Sequence, residues 1–413
     1  MSGARLRFWL VGAALGPLAL FGCASGPARQ DVSPTQAIRA NVAPPEASLL
    51  DVGVEVFKTI KPEADTAEGK SAHPKIMEAE ARYIPFHLKK TLQQTGQWGA
   101  VRVIPGHSDE VDVSVSGTLL ESNGETLRMA VKVVDATGRV WFNNEYVAEV
   151  TEKSYEALDE KDRDPYQDLY NRVANDMLAF RRELSAKDLA DVRQVALLRF
   201  ASSMVPSAFG DYLTTDSDGI LHVKKLPADH DPMFERVKRI RAREHMFIDT
   251  VNLYYANLYD DMRQPYVEWR RSSLQELDQK RALERKAWQR RLLGIAALIG
   301  GVVVGTNSNS SGGAAASSVM VIGGYEIFRS GGQFADDAKV HEAALRELGD
   351  SFNADVAPVL DEVEGRRLKL SGSVDAQYAE WRKALRELFT KETGLPPVAG
   401  TPPDGSLKAD GKP

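Results

Sequence analysis

The sequence predicts an α+β protein, in which a small βαβββ sheet domain precedes a mostly α-helical region with a Gly-rich apolar helical hairpin. Three observations predict this class. Apolar and polar residues alternate in short segments of 48–150, which is typical of half-buried strands. Apolar residues recur at spacings of three and four through much of 151–291, which is typical of amphipathic helices. Residues 292–305 contain no charged side chain.

The strands of the first domain have the clearest signals. Asp51–Val56 places three valines on one face, and Val111–Gly117 alternates in the same way. Between them, Lys75–Gly96 has helical periodicity, and Pro85 predicts either a kink or the start of the regular helix there. Asn123-Gly124 predicts a tight hairpin turn between later strands. The order is strand, helix, strand and a three-strand meander, and a right-handed crossover makes the first two strands parallel.

The next region is predicted to be helical apart from one small hairpin near 212–226. A long helical tract begins at Asp231-Pro232, and Pro265 is expected to interrupt it. A further helix is predicted from Tyr266 to Arg291, with a strongly basic end.

The apolar run after this helix contains Ala297, Gly301 and Gly305 at four-residue spacing. In a helix these small residues form a groove that lets another helix approach closely. With the apolar residues 314–328, they resemble the glycine-zipper hairpins of outer-membrane lipoproteins, although only one arm has a regular zipper. Three interpretations stay open: a hairpin buried within the chain, a hairpin in or on a membrane, and self-association as a homo-oligomer.

The only cysteine, Cys23, lies at the end of a signal-like segment. A basic start and an apolar stretch from Phe8 to Phe21 precede Leu20-Phe21-Gly22-Cys23, which resembles the lipobox of bacterial lipoproteins. The resemblance implies cleavage before Cys23, attachment of a diacylglyceryl group with fatty acids such as palmitate to its thiol through a thioether, and membrane attachment through that lipid. Ala24 and Ser25 stand where such proteins carry an inner-membrane retention signal, so the resemblance implies an outer-membrane lipoprotein that faces the periplasm.

A second resemblance concerns the sheet domain. Val52–Val56, Leu92–Gly96, Val113–Gly117 and Val133–Trp141 together resemble a periplasmic module. It is similar to the amino-terminal domain of TolB and to a domain of curli-secretion and flagellar outer-membrane lipoproteins. In that group the module mediates protein contacts and assembly, which implies envelope protein partners and no catalytic residues.

Composition and motifs argue against several kinds of partner and site. The formal net charge of −6 and the mixed surface charges favour no nucleic-acid partner. His341-Glu342 begins like a zinc-protease motif, but Leu345 replaces the second ligand. Asp216–Gly219 resembles part of a calcium loop, but Lys225 stands where the closing Glu belongs, so a hairpin turn is the better interpretation. We therefore predict no metal site, no cofactor and no catalytic residues.

These signals predict the following segments. They are a signal peptide (1–22), a flexible tether (23–47), the sheet domain (48–150), a helical region (151–291), the apolar hairpin (292–332), C-terminal helices (333–391) and a disordered tail (392–413). The predicted function is a non-enzymatic scaffold or accessory subunit in cell-envelope assembly. The alternatives are a membrane-active oligomer that uses the 292–328 hairpin and an unrecognised envelope hydrolase.

Overall fold

A computed structural model describes residues 35–60, 74–106, 111–156, 164–304, 359–363, 366–370 and 373–393, together with 340, 342–344 and 346–347. Over these residues the chain combines helices with a mixed β-sheet. The predicted α+β class is therefore confirmed. The predicted signal peptide, Cys23, Gly305 and the residues from 394 onward lie outside the described residues.

The main sheet of the described chain contains six strands. In chain order they are β1 (Val52–Glu55), β2 (Lys58–Thr59), β3 (Val101–Ile104), β4 (Val113–Ser122), β5 (Thr126–Asp135) and β6 (Val140–Glu149). Strand β1 lies between β3 and β4 and is parallel to both, while β4, β5 and β6 form an antiparallel meander. The two-residue strand β2 pairs in parallel with β4 and has no counterpart in the sequence prediction.

Helix α1 (Pro74–Thr95) packs on the valine face of this sheet. Of the two expectations for Pro85, a helix that starts there is wrong, because α1 already begins at Pro74. The first turns bury Ile76 and Met77 completely or nearly so, and this packing holds them helical ahead of the proline. Gly96 follows with a φ of 64°, a left-handed conformation that is typical of a helix stop.

Further helices of the body follow the sheet along the chain. They are α2 (Glu152–Glu156), α3 (Gln167–Glu183), α4 (Ala186–Met204), α5 (Pro206–Phe209) and α6 (Pro232–Val304), with a hairpin of β7 (Leu213–Thr215) and β8 (Leu221–Val223) between α5 and α6. Helices α3 and α6 both contact α1, and the sheet and helices share one cluster of buried side chains. The core that begins in 48–150 therefore continues into the helical region.

Helix α6 also covers the edge of the sheet at β3. The Asn252 side chain accepts a hydrogen bond from the Val103 N–H (2.9 Å) and donates one to the Val103 carbonyl (2.8 Å). The side-chain amide thus occupies the place of a neighbouring strand. Because an open edge strand invites pairing with other chains, this contact closes that edge.

Helix α6 is continuous over 73 residues, so the predicted interruption at Pro265 is wrong. Proline removes one backbone hydrogen bond and crowds the preceding turn. Met262, Tyr266 and Trp269 flank it and are all fully buried. Burial on both sides stabilises the helix against the local cost of proline, which the sequence pattern alone does not reveal.

The prediction of C-terminal helices over 333–391 is partly wrong. The described residues of 340–347 are helical, and α7 (Val374–Thr393) packs on α6 through Trp381 and Phe247. Between them, β9 (Val359–Val363) and β10 (Arg366–Leu370) form an antiparallel hairpin. After Gly365, Leu368 and Leu370 alternate with Arg367 and Lys369, which is a strand signal that helical expectations obscured.

Candidate functional site: the projecting end of helix α6

Helix α6 has two halves with different surroundings. From Phe234 to Leu274 it buries a regular series of side chains in the body. From Gln275 to Trp288 none of its described side chains is buried. The residues from 275 to Val304 would measure about 45 Å as a straight helix, so α6 continues well beyond its last buried turn.

A buried ionic cluster fixes the last buried turns of α6. The Arg270 guanidinium is fully buried, lies 3.2 Å from both Asp164 carboxylate oxygens, and donates to the Tyr266 hydroxyl. Tyr266 donates to Glu80 Oε1 on α1, which also accepts a hydrogen bond from Ser122 of β4 at 2.5 Å. Burial raises the pKa of Tyr266 well above its ordinary value, so the hydroxyl stays protonated and able to donate. The cluster joins α6 to α1, the sheet and the segment before α3.

The β4–β5 turn presses against the same part of α6. Gly124 has a φ of 85°, and a Cβ added there would lie 2.4 Å from the Arg270 carbonyl oxygen. Only glycine fits both the backbone conformation and this close approach. The sequence predicted the turn at Asn123-Gly124 but gave no sign of its contact with a helix about 150 residues away.

A second polar group joins α1, α3 and α6 nearer the middle of the body. His87 Nδ1 lies 2.6 Å from the Tyr259 hydroxyl, and its Nε2 lies 2.9 Å from Gln167 Oε1. Since the Gln167 amide nitrogen donates to Asn171, its oxygen faces His87, so Nε2 carries the proton and Nδ1 accepts from Tyr259. Burial lowers the pKa of His87, which favours this neutral form. These contacts position α1, α3 and α6 relative to one another.

The projecting half begins at a last ion pair with the body. Arg281 donates two hydrogen bonds to the nearly buried Glu125 carboxylate, at 2.8 and 2.5 Å. Beyond it, Arg285 and Lys286 are exposed, and Trp288 exposes 61% of its surface. A tryptophan this exposed on a helix with basic neighbours is unusual for a solvated surface, because large aromatic side chains are normally highly buried.

The predicted zipper residues fall at the far end of this half. Ala297 and Gly301 lie in the helical backbone of α6, and Gly305 is outside the described residues. The existence of a hairpin over 292–332 and the partner of these residues stay predictions. Within the described chain, no helix has both the length and the hydropathy to cross a bilayer.

The first described residues run along the body, away from the end at which α6 leaves it. The Thr35 carbonyl accepts from Asn171, the Ile38 N–H donates to Asn175, and the Ala40 N–H donates to Thr95 at the end of α1. Helix α1 is antiparallel to α6, since Glu80 lies near Arg270 while Lys89 contacts Asn252. Thr35 is therefore closer than Ala40 to the end where α6 leaves the body.

A polar cleft of about 390 Å³ lies on the opposite side of the body. It is lined by Leu49, Asp51, Asp112, Ala190, Arg193, Gln194, Leu197 and Arg241. Asp112 accepts the Asp51 N–H (2.9 Å), and Asp51 accepts the Ala100 N–H (2.8 Å). Burial raises the pKa of Asp112 to about 6. The two carboxylates hold backbone at the starts of β1 and β3, so their chemistry is already used by the fold.

Among the described residues, no group of His, Cys, Asp and Glu side chains is arranged to hold a metal ion. Asp216, at the predicted hairpin turn, accepts from the Asp218 and Ile220 N–H groups and contacts His222.

No protein-family model matches the chain, and no curated protein matches it.

Proposed function

We propose that the protein is a non-enzymatic lipoprotein, anchored in the outer membrane by acyl chains on Cys23 and facing the periplasm. There it acts as a scaffold or accessory subunit in cell-envelope assembly. The observation that carries the proposal is the shape of α6, one helix that is embedded in a packed body at one end and continues for about 45 Å beyond its last buried turn at the other. Such a shape is suited to connecting two components of the envelope.

The sheet supports a role in assembly. Strand β6 is at the end of the sheet, and Val140 and Val147 on it expose 47% and 39% of their surface. An exposed edge strand is a surface on which another chain can pair. We propose that residues 48–150 correspond to the assembly module they resemble, with β6 facing an envelope protein, and that 292–332 form the Gly-rich hairpin.

The lipid anchor is tested by Cys23→Ala, with Ser25→Ala as a neighbouring control that keeps the thiol. Cells are fed an alkyne analogue of palmitate, and the protein is then fractionated with the membranes. The proposal expects label and outer-membrane recovery for the native and control proteins and neither for Cys23→Ala. Label on Cys23→Ala, or its full recovery with the outer membrane, would contradict the proposal.

The scaffold role is tested by site-specific photocrosslinking in cells. A photoreactive residue replaces Glu145 on β6. In a control protein it replaces Lys187 on α4, whose side chain is also exposed. We expect one reproducible adduct with an envelope protein from position 145 and none of the same size from position 187. Identical adducts from both positions, or none from 145, would reject β6 as the assembly surface.

A further inference from the structure

The charges of α6 are concentrated at the point where it leaves the body. Residues 280–291 contain a single carboxylate, Glu284, and six cations. The cations are Lys280, Arg281, Arg285, Lys286, Arg290 and Arg291. The next 34 residues, 292–325, contain no charged side chain. The change from strongly basic to uncharged occurs within one continuous helix, because α6 extends to Val304.

Trp288 lies at this boundary. It exposes 61% of its surface, and Leu283, five residues earlier, exposes 40%. Tryptophan is enriched at the membrane–water interface, where its ring meets the headgroups. Basic residues close to an anionic lipid surface each contribute about 1 kcal/mol to binding. Along α6 a basic segment that contains Trp288 is therefore followed by an uncharged apolar run, which matches the path from headgroups to acyl chains.

The apolar run is shorter than the hydrocarbon core of a bilayer. Residues 292–304 would measure about 20 Å as helix, less than the roughly 30 Å of a hydrocarbon core. A protein partner would not require this ordered change from charge to an uncharged run. A second copy of the chain would bring two strongly basic segments together, and like charges oppose that approach.

We propose that α6 from Arg285 to Val304 is a membrane-docking arm, with the basic residues of 285–291 on anionic headgroups, Trp288 at the interface and the apolar end among the acyl chains. The inference deepens the proposed function and rests on it only for the identity of the membrane.

The test uses the chain from Ala24 to Pro413, so that neither the signal segment nor the lipid contributes to binding. Flotation is measured with vesicles of phosphatidylcholine alone and with vesicles containing 30% phosphatidylglycerol, a composition chosen as roughly that of an anionic leaflet. We expect at least about tenfold tighter binding to the anionic vesicles, weakened by salt.

Two variants locate the binding surface. Arg285→Glu/Lys286→Glu should weaken binding to anionic vesicles by at least about tenfold, because both interactions become repulsive. The control, Arg182→Glu/Arg239→Glu, makes the same charge change at exposed positions of the body and should bind normally. Trp288→Ala should weaken binding by a smaller factor, and to the same extent at low and at high salt. Circular dichroism checks that all variants retain native helicity.

Three outcomes overturn the proposal. Absence of binding to either vesicle rejects the arm as a membrane contact, and a dimer in sedimentation without vesicle binding would assign it to a second copy instead. Equal losses in the arm and control variants would show that net charge, not the arm, attracts the vesicles. Failure of the proposed function is distinguishable from these: absence of label on the native protein in the Cys23 experiment, with intact vesicle binding, would reject the lipoprotein and support the docking arm.

Discussion

The two halves of α6 have the same backbone and opposite surroundings. The anchor half, Pro232 to Leu274, contains Pro265 and a buried guanidinium, both of which oppose helix stability or burial on their own. The projecting half, from Gln275, contains neither and still has no buried side chain through Trp288. Packing therefore decides the stability of the first half, whereas the second depends on local helix propensity and on what it binds.

The largest contrast is expected from removing a cation in each half. Arg270→Met leaves Glu80 and Asp164 buried without their cation, which should lower the free energy of unfolding by about 3–5 kcal/mol. Arg285→Met on the exposed arm should change it by less than about 0.5 kcal/mol. Urea unfolding followed by circular dichroism measures both. Similar losses in the two variants would mean that the halves are not energetically distinct.

Replacing an amide in each half should give an intermediate contrast. Asn252→Leu leaves the N–H and carbonyl of Val103 unpaired at the covered edge of β3, and buried unpaired groups cost about 1–3 kcal/mol. Gln279→Leu makes the same chemical change on the projecting half, where water replaces any lost hydrogen bond. The denaturant midpoint should fall only for Asn252→Leu. An unchanged midpoint there would show that Asn252 does not close the sheet edge.

The body that holds the anchor half should also respond to mildly acidic pH. Burial raises the pKa of Asp112 to about 6, so its contribution to stability is present below its unfolded value near 4 and is lost as the pH rises through 6. Burial, with Arg102 and Arg241 nearby, lowers the pKa of His245 to about 4. Stability from the neutral imidazole is present above pH 6.5 and is lost as the pH falls toward 4.

The contributions of Asp112 and His245 to stability thus change with pH in opposite directions, and single variants should separate these contributions. Relative to the native protein, Asp112→Asn should gain on the order of 2 kcal/mol between pH 4 and pH 7, and His245→Asn should gain as the pH falls from 7 to 4. Thermal unfolding across this range measures the two slopes. Parallel slopes for both variants and the native protein would contradict the opposing assignment.

The sequence was sufficient for the parts of the fold that depend on local pattern. Alternating valines predicted β1 and β4, and helical spacing predicted most of the anchor half of α6. Pro265 was misjudged because the burial of Tyr266 and Trp269 that holds the helix together depends on distant parts of the chain. The β9–β10 hairpin was missed because its alternation lies between helical signals.

The buried cluster could not have been predicted from one sequence. Asp164 and Arg270 are 106 residues apart, and Tyr266 and Glu80 are 186 apart, with no shared motif. The opposite holds for the arm: its basic and uncharged segments are adjacent in sequence, so composition revealed them. What composition lacked was the exposure of Trp288 and the continuity of α6 through this boundary.

The most direct test of the account is hydrogen–deuterium exchange of the two halves of α6 in the chain from Ala24, with and without vesicles containing phosphatidylglycerol. Amides of 240–274 should exchange slowly in both conditions, because the core protects them. Amides of 283–304 should exchange quickly in solution and become protected only with anionic vesicles. Equal protection of the two halves in solution, or no change in 283–304 when vesicles are added, would contradict the division of α6 into an anchor and a membrane-docking arm.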